Sequence, residues 1–158
     1  MRFVFIRHGH YTKPAEKSER DRAPLTDAGQ RAARQAGEYL AAQGIRPDLV
    51  CTTKAQRTRE TATIVLETLG ASCPTHAKDG GFGSGVTRDE ITLRIGEWAS
   101  GVTPRPQTLL YVGHDTQQSA LLRRFGGPEI PRANRACVLI WDQTPDSQWL
   151  FVGSHAGS

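Results

Sequence analysis

Phe3-Val4-Phe5-Ile6-Arg7-His8-Gly9 decides how this chain folds. Four consecutive apolar residues set a strand over about residues 2–7. Its unbroken apolar character suits a strand covered on both faces in a parallel sheet. The run then stops at a charged residue, a histidine and a glycine. Leu109-Leu110-Tyr111-Val112 stops the same way, in Gly113-His114-Asp115. In open α/β sheets, ligands bind beyond the carboxyl ends of the strands. If these two strands are neighbours, His8 and His114 face one crevice. A histidine there can act as nucleophile, base or metal ligand. A single strand-end histidine is ordinarily satisfied by backbone. Two, at the ends of the two most apolar strands, point to function.

Working outward, strands alternate with helices. A polar loop runs from His10 to about Pro24. Thr26 caps a helix that runs to about Gln43, and Gly44 ends it. Asp48–Thr52 is a short strand, Ala55 to Leu69 a helix stopped by Gly70, and Ser72 to Lys78 a weak strand. A glycine-dense loop, 79–85, precedes a helix over Thr87 to Ala99. After the strand at 108–112 comes a helix over Thr116 to Phe125. Residues 136–141 and 148–152 read as a hairpin. The pattern predicts a single α/β domain over residues 1–158. It is a three-layer α/β/α sandwich around a mostly parallel sheet with an antiparallel C-terminal edge. Trp98, Trp141 and Trp149 sit in apolar patterns as core residues.

The composition narrows the class. With 158 residues, 37% hydrophobic and 23% charged, the chain reads as one globular domain. No apolar run approaches a membrane span, and the short N-terminal run is a strand rather than a signal peptide, so the expected location is the cytoplasm. Cys51, Cys73 and Cys137 form no CxxC pair and are expected as buried thiols. The net charge of +4 is scattered, and Glu16-Lys17-Ser18-Glu19-Arg20-Asp21-Arg22 reads as a solvated mixed-charge loop. The expected partner is therefore an anionic small molecule, with no nucleic acid and no membrane. Oligomeric state is not written in the pattern.

A third segment, Thr53-Lys54-Ala55-Gln56-Arg57-Thr58-Arg59-Glu60-Thr61-Ala62, follows another strand directly and opens on the same sheet edge. Arg57 falls in the first turn of its helix. Exposed N–H groups with a guanidinium beside them form an anion site. Arg59 reads as a solvated helix residue.

Arg7-His8-Gly9, Leu25-Thr26-Asp27-Ala28-Gly29, the 53–62 segment and Gly113-His114 together resemble the histidine phosphatase superfamily, phosphoglycerate mutase-like. The motifs occur in the family's order and span residues 7–115. The resemblance implies a phosphoglycerate mutase-like fold and a phosphoric monoester hydrolase without metal or cofactor. His8 would be the nucleophile, becoming phosphohistidine. Arg7, Arg57 and His114 would clamp the phosphoryl oxygens, with His114 protonated to give a third positive charge. His8 must be neutral to attack, and nearby cations favour that state. Two aspartates compete as proton donor. Asp79 occupies roughly the place of the acid in many short members. Asp115 matches the His-Asp motif of the acid phosphatase and phytase branch, and directly follows the clamp histidine, so it is the favoured choice. Asp115 also suits an N-cap. Gly9, His10 and Tyr11 are expected to contact substrate, with Thr12 and Lys13 at the mouth.

His10 stands where mutases carry an acidic residue, and no insertion long enough for a lid is present. Both features favour a phosphatase over a mutase, with a small phosphorylated metabolite such as a sugar phosphate as substrate. A protein phosphohistidine phosphatase is the enzyme alternative. A zinc hydrolase using His8, His10, His114 and Asp115 is disfavoured by the two arginines, and a non-catalytic phospho-ligand module by the full set of reactive groups.

Overall fold

In the computed structural model, which describes residues 1–78 and 81–158, the elements follow the expected alternation. They are β1 (Arg2–Arg7), a 3₁₀ segment (Lys17–Arg22), α1 (Asp27–Ala42), β2 (Leu49–Thr52), α2 (Gln56–Leu69), β3 (Thr75–Ala77), α3 (Arg88–Ser100), β4 (Thr108–Gly113), α4 (Asp115–Phe125), β5 (Val138–Gln143) and β6 (Trp149–His155). The sheet order is β3-β2-β4-β1-β5-β6. β1, β4, β2 and β3 are parallel, while β5 runs antiparallel to both β1 and β6.

The apolar run of β1 is explained by its two buried faces. Side chains alternate across a strand, so Val4 and Ile6 meet Leu40 of α1 and Val65 of α2. Phe3 and Phe5 meet Ile95 of α3 and Leu121 of α4. β4 repeats the pattern with Leu110 and Val112 on one face and Leu109 and Tyr111 on the other. Truncating a side chain such as Phe5 to alanine in such a core costs about 3–5 kcal/mol.

Helix ends follow local chemistry. Thr26 Oγ1 accepts from the Gly29 N–H at 3.1 Å, and Gly70 closes α2 in the left-handed region at φ +56°. Glu90 closes a capping box with Thr87 at the start of α3. Trp141 and Trp149 are core residues whose indole N–H groups donate to the Gly126 carbonyl and Thr92 Oγ1. Cys51 and Cys137 are buried free thiols, and Cys73 is partly exposed.

Three local expectations shift. The weak strand contracts to Thr75–Ala77, all exposed at the sheet edge. The loop from His10 to Pro24 contains the 3₁₀ segment, and Tyr11 forms an isolated antiparallel bridge with Leu25. α4 starts at Asp115 with His114 as its N-cap residue, so Asp115 is not the cap. No helix among the described residues is long and apolar enough to cross a membrane.

Candidate active site

β1 and β4 are adjacent, with Arg7 in register with Gly113. The next residue of each strand is therefore a histidine, and the two imidazoles lie edge to face with ring centroids 5.2 Å apart. His8 is only 5% exposed. Its Nδ1 stands 2.7 Å from the Gly9 carbonyl oxygen. A carbonyl can only accept, so Nδ1 carries the proton and Nε2 is left with its lone pair free.

The backbone of this turn is fixed from behind. The Gly9 N–H donates to Thr61 Oγ1 of α2 at 3.0 Å. A Cβ on Gly9 would sit 2.5 Å from the Gly29 carbonyl oxygen, and one on Gly29 would overlap the His10 carbonyl. Glycine is required at both positions by this close approach of the loop to the start of α1.

The cations are held by neutral groups. Arg7, 4% exposed, donates from Nη1 to the carbonyls of Arg132 at 2.5 Å and Asn134 at 3.1 Å. Arg57 donates to the Arg20 carbonyl at 2.7 Å and lies over the Tyr11 ring, 4.5 Å from its centroid. Tyr11 in turn packs edge-on to His8 at 5.4 Å. Carboxylates stand farther off: Asp115 is 3.9 Å from Arg7 and Asp21 3.6 Å from Arg57, both largely exposed. The Nε atoms of Arg7 and Arg57 are buried without a hydrogen-bond partner. His114 Nε2 is 3.0 Å from Thr53 Oγ1, and its backbone N–H donates to Gln117 Oε1.

These surroundings set the charge states. Burial, with His114, Arg57 and Arg135 nearby, lowers the His8 pKa to about 3, against the opposing pull of the Gly9 carbonyl. Burial and then Arg57 lower His114 to about 4. The expectation of a protonated His114 is therefore corrected. At neutral pH these directions favour uncharged imidazoles, chiefly because burial disfavours the charged ring, with the neighbouring arginines adding to the effect. Arg7 is lowered by burial and by Arg135.

Arg7, His8, His10, Tyr11, Arg57, His114 and Asp115 line one cavity of about 500 Å³, together with Lys13, Thr116, Gln117 and Arg135. Gly9 lies beneath it, buried against Gly29. His10 is exposed at the mouth, its ring 3.0 Å from Thr26 Oγ1. Asp79 lies outside the described residues. Among the described residues no three His, Cys, Asp or Glu side chains converge as a metal site.

Sequence reading missed Arg135, and also Arg20 and Asp21 as neighbours of Arg57. The only available signal for the latter pair was the charged run 16–22, which resembles any solvated loop.

A cleft lined by Arg7, Arg57 and Arg135 over an oriented imidazole thus lies at the carboxyl edge of the parallel strands, where open α/β sheets place their ligands. The sequence model of the histidine phosphatase superfamily (branch 1) matches residues 3–80, just under half of the chain. A 2,3-bisphosphoglycerate-dependent phosphoglycerate mutase of Azorhizobium caulinodans is 35% identical over 80 residues. That match takes in 46% of this chain and 39% of the mutase, so the chain spans well under half of that relative. Among solved structures, the protein histidine phosphatase SixA complexed with tungstate superposes with TM-score 0.75 at 15% identity, covering 98% of this chain and 96% of that one. The α-ribazole phosphatase of Shigella flexneri gives 0.63 at 17%, covering 96% and 95%. At these identities the likeness establishes the fold.

Proposed function

We propose that the chain is a metal-independent phosphatase that hydrolyses a small phosphomonoester through a phosphohistidine at His8. The single observation carrying this is the Nδ1–H of His8 on the Gly9 carbonyl, which aims an unprotonated Nε2 into a cleft walled by buried guanidinium groups. Nε2 attacks phosphorus, and the bond to the leaving oxygen breaks. The charge on the three equatorial oxygens is met by Arg7, Arg57 and an N–H of His114. The Gly9 carbonyl supports the positive charge that develops on the attacked ring. Asp115, on the cavity wall, gives its proton to the leaving oxygen. It then takes one from the water that releases inorganic phosphate and regenerates His8.

The cavity volume lies within the range of small-molecule sites, which supports a phosphorylated metabolite, with sugar phosphates among the candidates. A protein phosphohistidine substrate is supported by a different observation. His10 and Asp115 stand exposed at an open mouth, and a protein histidine phosphatase shares the fold along nearly the whole chain.

A turnover screen over phosphorylated metabolites and a phosphohistidine protein, run with EDTA present, tests both readings. The expected result is hydrolysis unaffected by EDTA, with an acid-labile phosphoenzyme that disappears in His8→Ala. Strict dependence on added zinc, or a phosphoenzyme surviving in His8→Ala, overturns the proposal.

A further inference from the structure

Arg135 reaches the phosphoryl cavity from the connection between α4 and β5, a segment outside the motifs of the family resemblance. Its backbone is anchored to the nucleophile segment: the N–H of Ala136 points to the His8 carbonyl at 3.5 Å, and the Arg7 N–H donates to Cys137. Ala136 adopts φ +52°, a left-handed conformation that a non-glycine residue takes up at a cost of about 1 kcal/mol or more, and holds only where its surroundings enforce it. The enforcing contacts come from residues 156–158. Arg135 and Ser158 exchange two backbone hydrogen bonds of 2.9 and 3.1 Å, and Asn134 Nδ2 donates to the Ala156 carbonyl at 3.0 Å. Gly157 lies at φ +74°, where a Cβ would overlap the Arg135 carbonyl oxygen.

The side chain is placed just as firmly. Arg135 Nη1 donates to the Arg132 carbonyl at 2.9 Å, and Arg7 Nη1 donates to that same oxygen at 2.5 Å. One carbonyl thus holds two guanidinium groups side by side in the cavity wall. Arg135 Nε is buried without a partner, and no carboxylate is paired with Arg135 among the described residues. Two adjacent like charges repel each other in the free protein. An arriving phosphoryl dianion relieves that repulsion and meets planar donors suited to its oxygens.

We infer that Arg135 is the third guanidinium of the phosphoryl site, taking a non-bridging oxygen beside Arg7, and that residues 156–158 position it. The inference rests on the proposed placement of the phosphoryl group at His8. It gives the cleft three permanent positive charges, Arg7, Arg57 and Arg135, with no need for a protonated histidine in the free protein.

The test uses the full chain with two readouts: inorganic tungstate binding by calorimetry, and hydrolysis of p-nitrophenyl phosphate. Arg135→Gln is expected to weaken tungstate binding and to lower kcat/KM, each by roughly 10- to 100-fold, as for loss of one charge-assisted donor. Arg135→Lys is expected to recover part of both. Gly157→Ala, outside the cavity, is expected to cost less, about 5-fold, through misplacement alone. Thermal melting of each variant identifies any that fails to fold. If Arg135→Gln is folded and matches wild type in both readouts, Arg135 has no such role and the phosphatase reading stands. If wild type binds tungstate, Arg135→Gln does not, and neither hydrolyses any phosphoester, the phosphatase reading falls and the anion site stands. If wild type binds no tungstate, both fall.

Discussion

β1 carries an arginine at each end, and the two live in opposite circumstances. Arg2 is about a third exposed and forms a bidentate pair with Asp142, at 2.7 and 2.8 Å. Its pKa is raised, chiefly by that pairing. Arg7, five residues along the same strand, is buried, held by backbone carbonyls, and lowered by burial and by Arg135. One end of the sheet neutralises its charge internally. The other keeps charge desolvated and in hand for a ligand. Free energy that a fully paired arginine contributes to folding is, at the site, available for binding an anion.

The sharpest way to break this contrast is at the reacting atom. His8→Ala is expected to abolish turnover, by roughly 10⁴-fold or more, with no phosphoenzyme, in quenched-flow labelling. Next, Arg7→Gln should lower kcat/KM by about 10²- to 10³-fold with an intact fold, whereas Arg2→Gln should leave kcat/KM unchanged. Equal losses in the two would erase the distinction. Asp115→Asn should slow alkyl phosphates at least about 10-fold more than aryl phosphates, since only poor leaving groups need a proton. Equal slowing would remove Asp115 as donor and return attention to Asp79.

Protonation gives a gentler probe. His8 and His114 bind protons in the unfolded chain near pH 6.5 but only at about 3 and 4 when folded. The unfolded state therefore binds more protons between these limits, and stability must fall as pH drops from about 6.5 toward 4. The slope is at most about 1.4 kcal/mol per pH unit per histidine, and His8→Gln should flatten it in denaturant titrations. By the same token, kcat/KM should hold its neutral-pH value well below 6.5. The smallest effect belongs to the paired end: Asp142→Asn should cost less than about 1 kcal/mol, and less still in high salt.

The two ends also differ in how openly the sequence declares them. Arg7, His8 and His114 were legible because two unbroken apolar runs end in Gly, His and charge, a pattern that parallel-strand burial produces directly. Arg57 was legible as a first-turn helix residue beyond a strand. Arg135 was not. It lies in an aperiodic polar connection, and its place depends on contacts with Arg132, Ser158 and the His8 backbone that no local spacing encodes. Arg20 supports Arg57 with a carbonyl, which any residue possesses, so its identity carries no signal. His114 illustrates a further gap. Its position was readable, but its charge depends on the burial and neighbours assembled around it.

The strand order has a consequence for the timing of assembly. β1 is made first, yet both its sheet partners, β4 and β5, lie more than a hundred residues downstream. During synthesis His8 leaves the ribosome long before Thr108–Gly113 exists to flank it, and Arg135 follows later still. Until then β1 is an unpaired apolar strand, the kind of segment that aggregates or calls on a chaperone. Nascent chains should therefore acquire oxyanion affinity in a single late step, once β4 and β5 have closed on either side of the first strand.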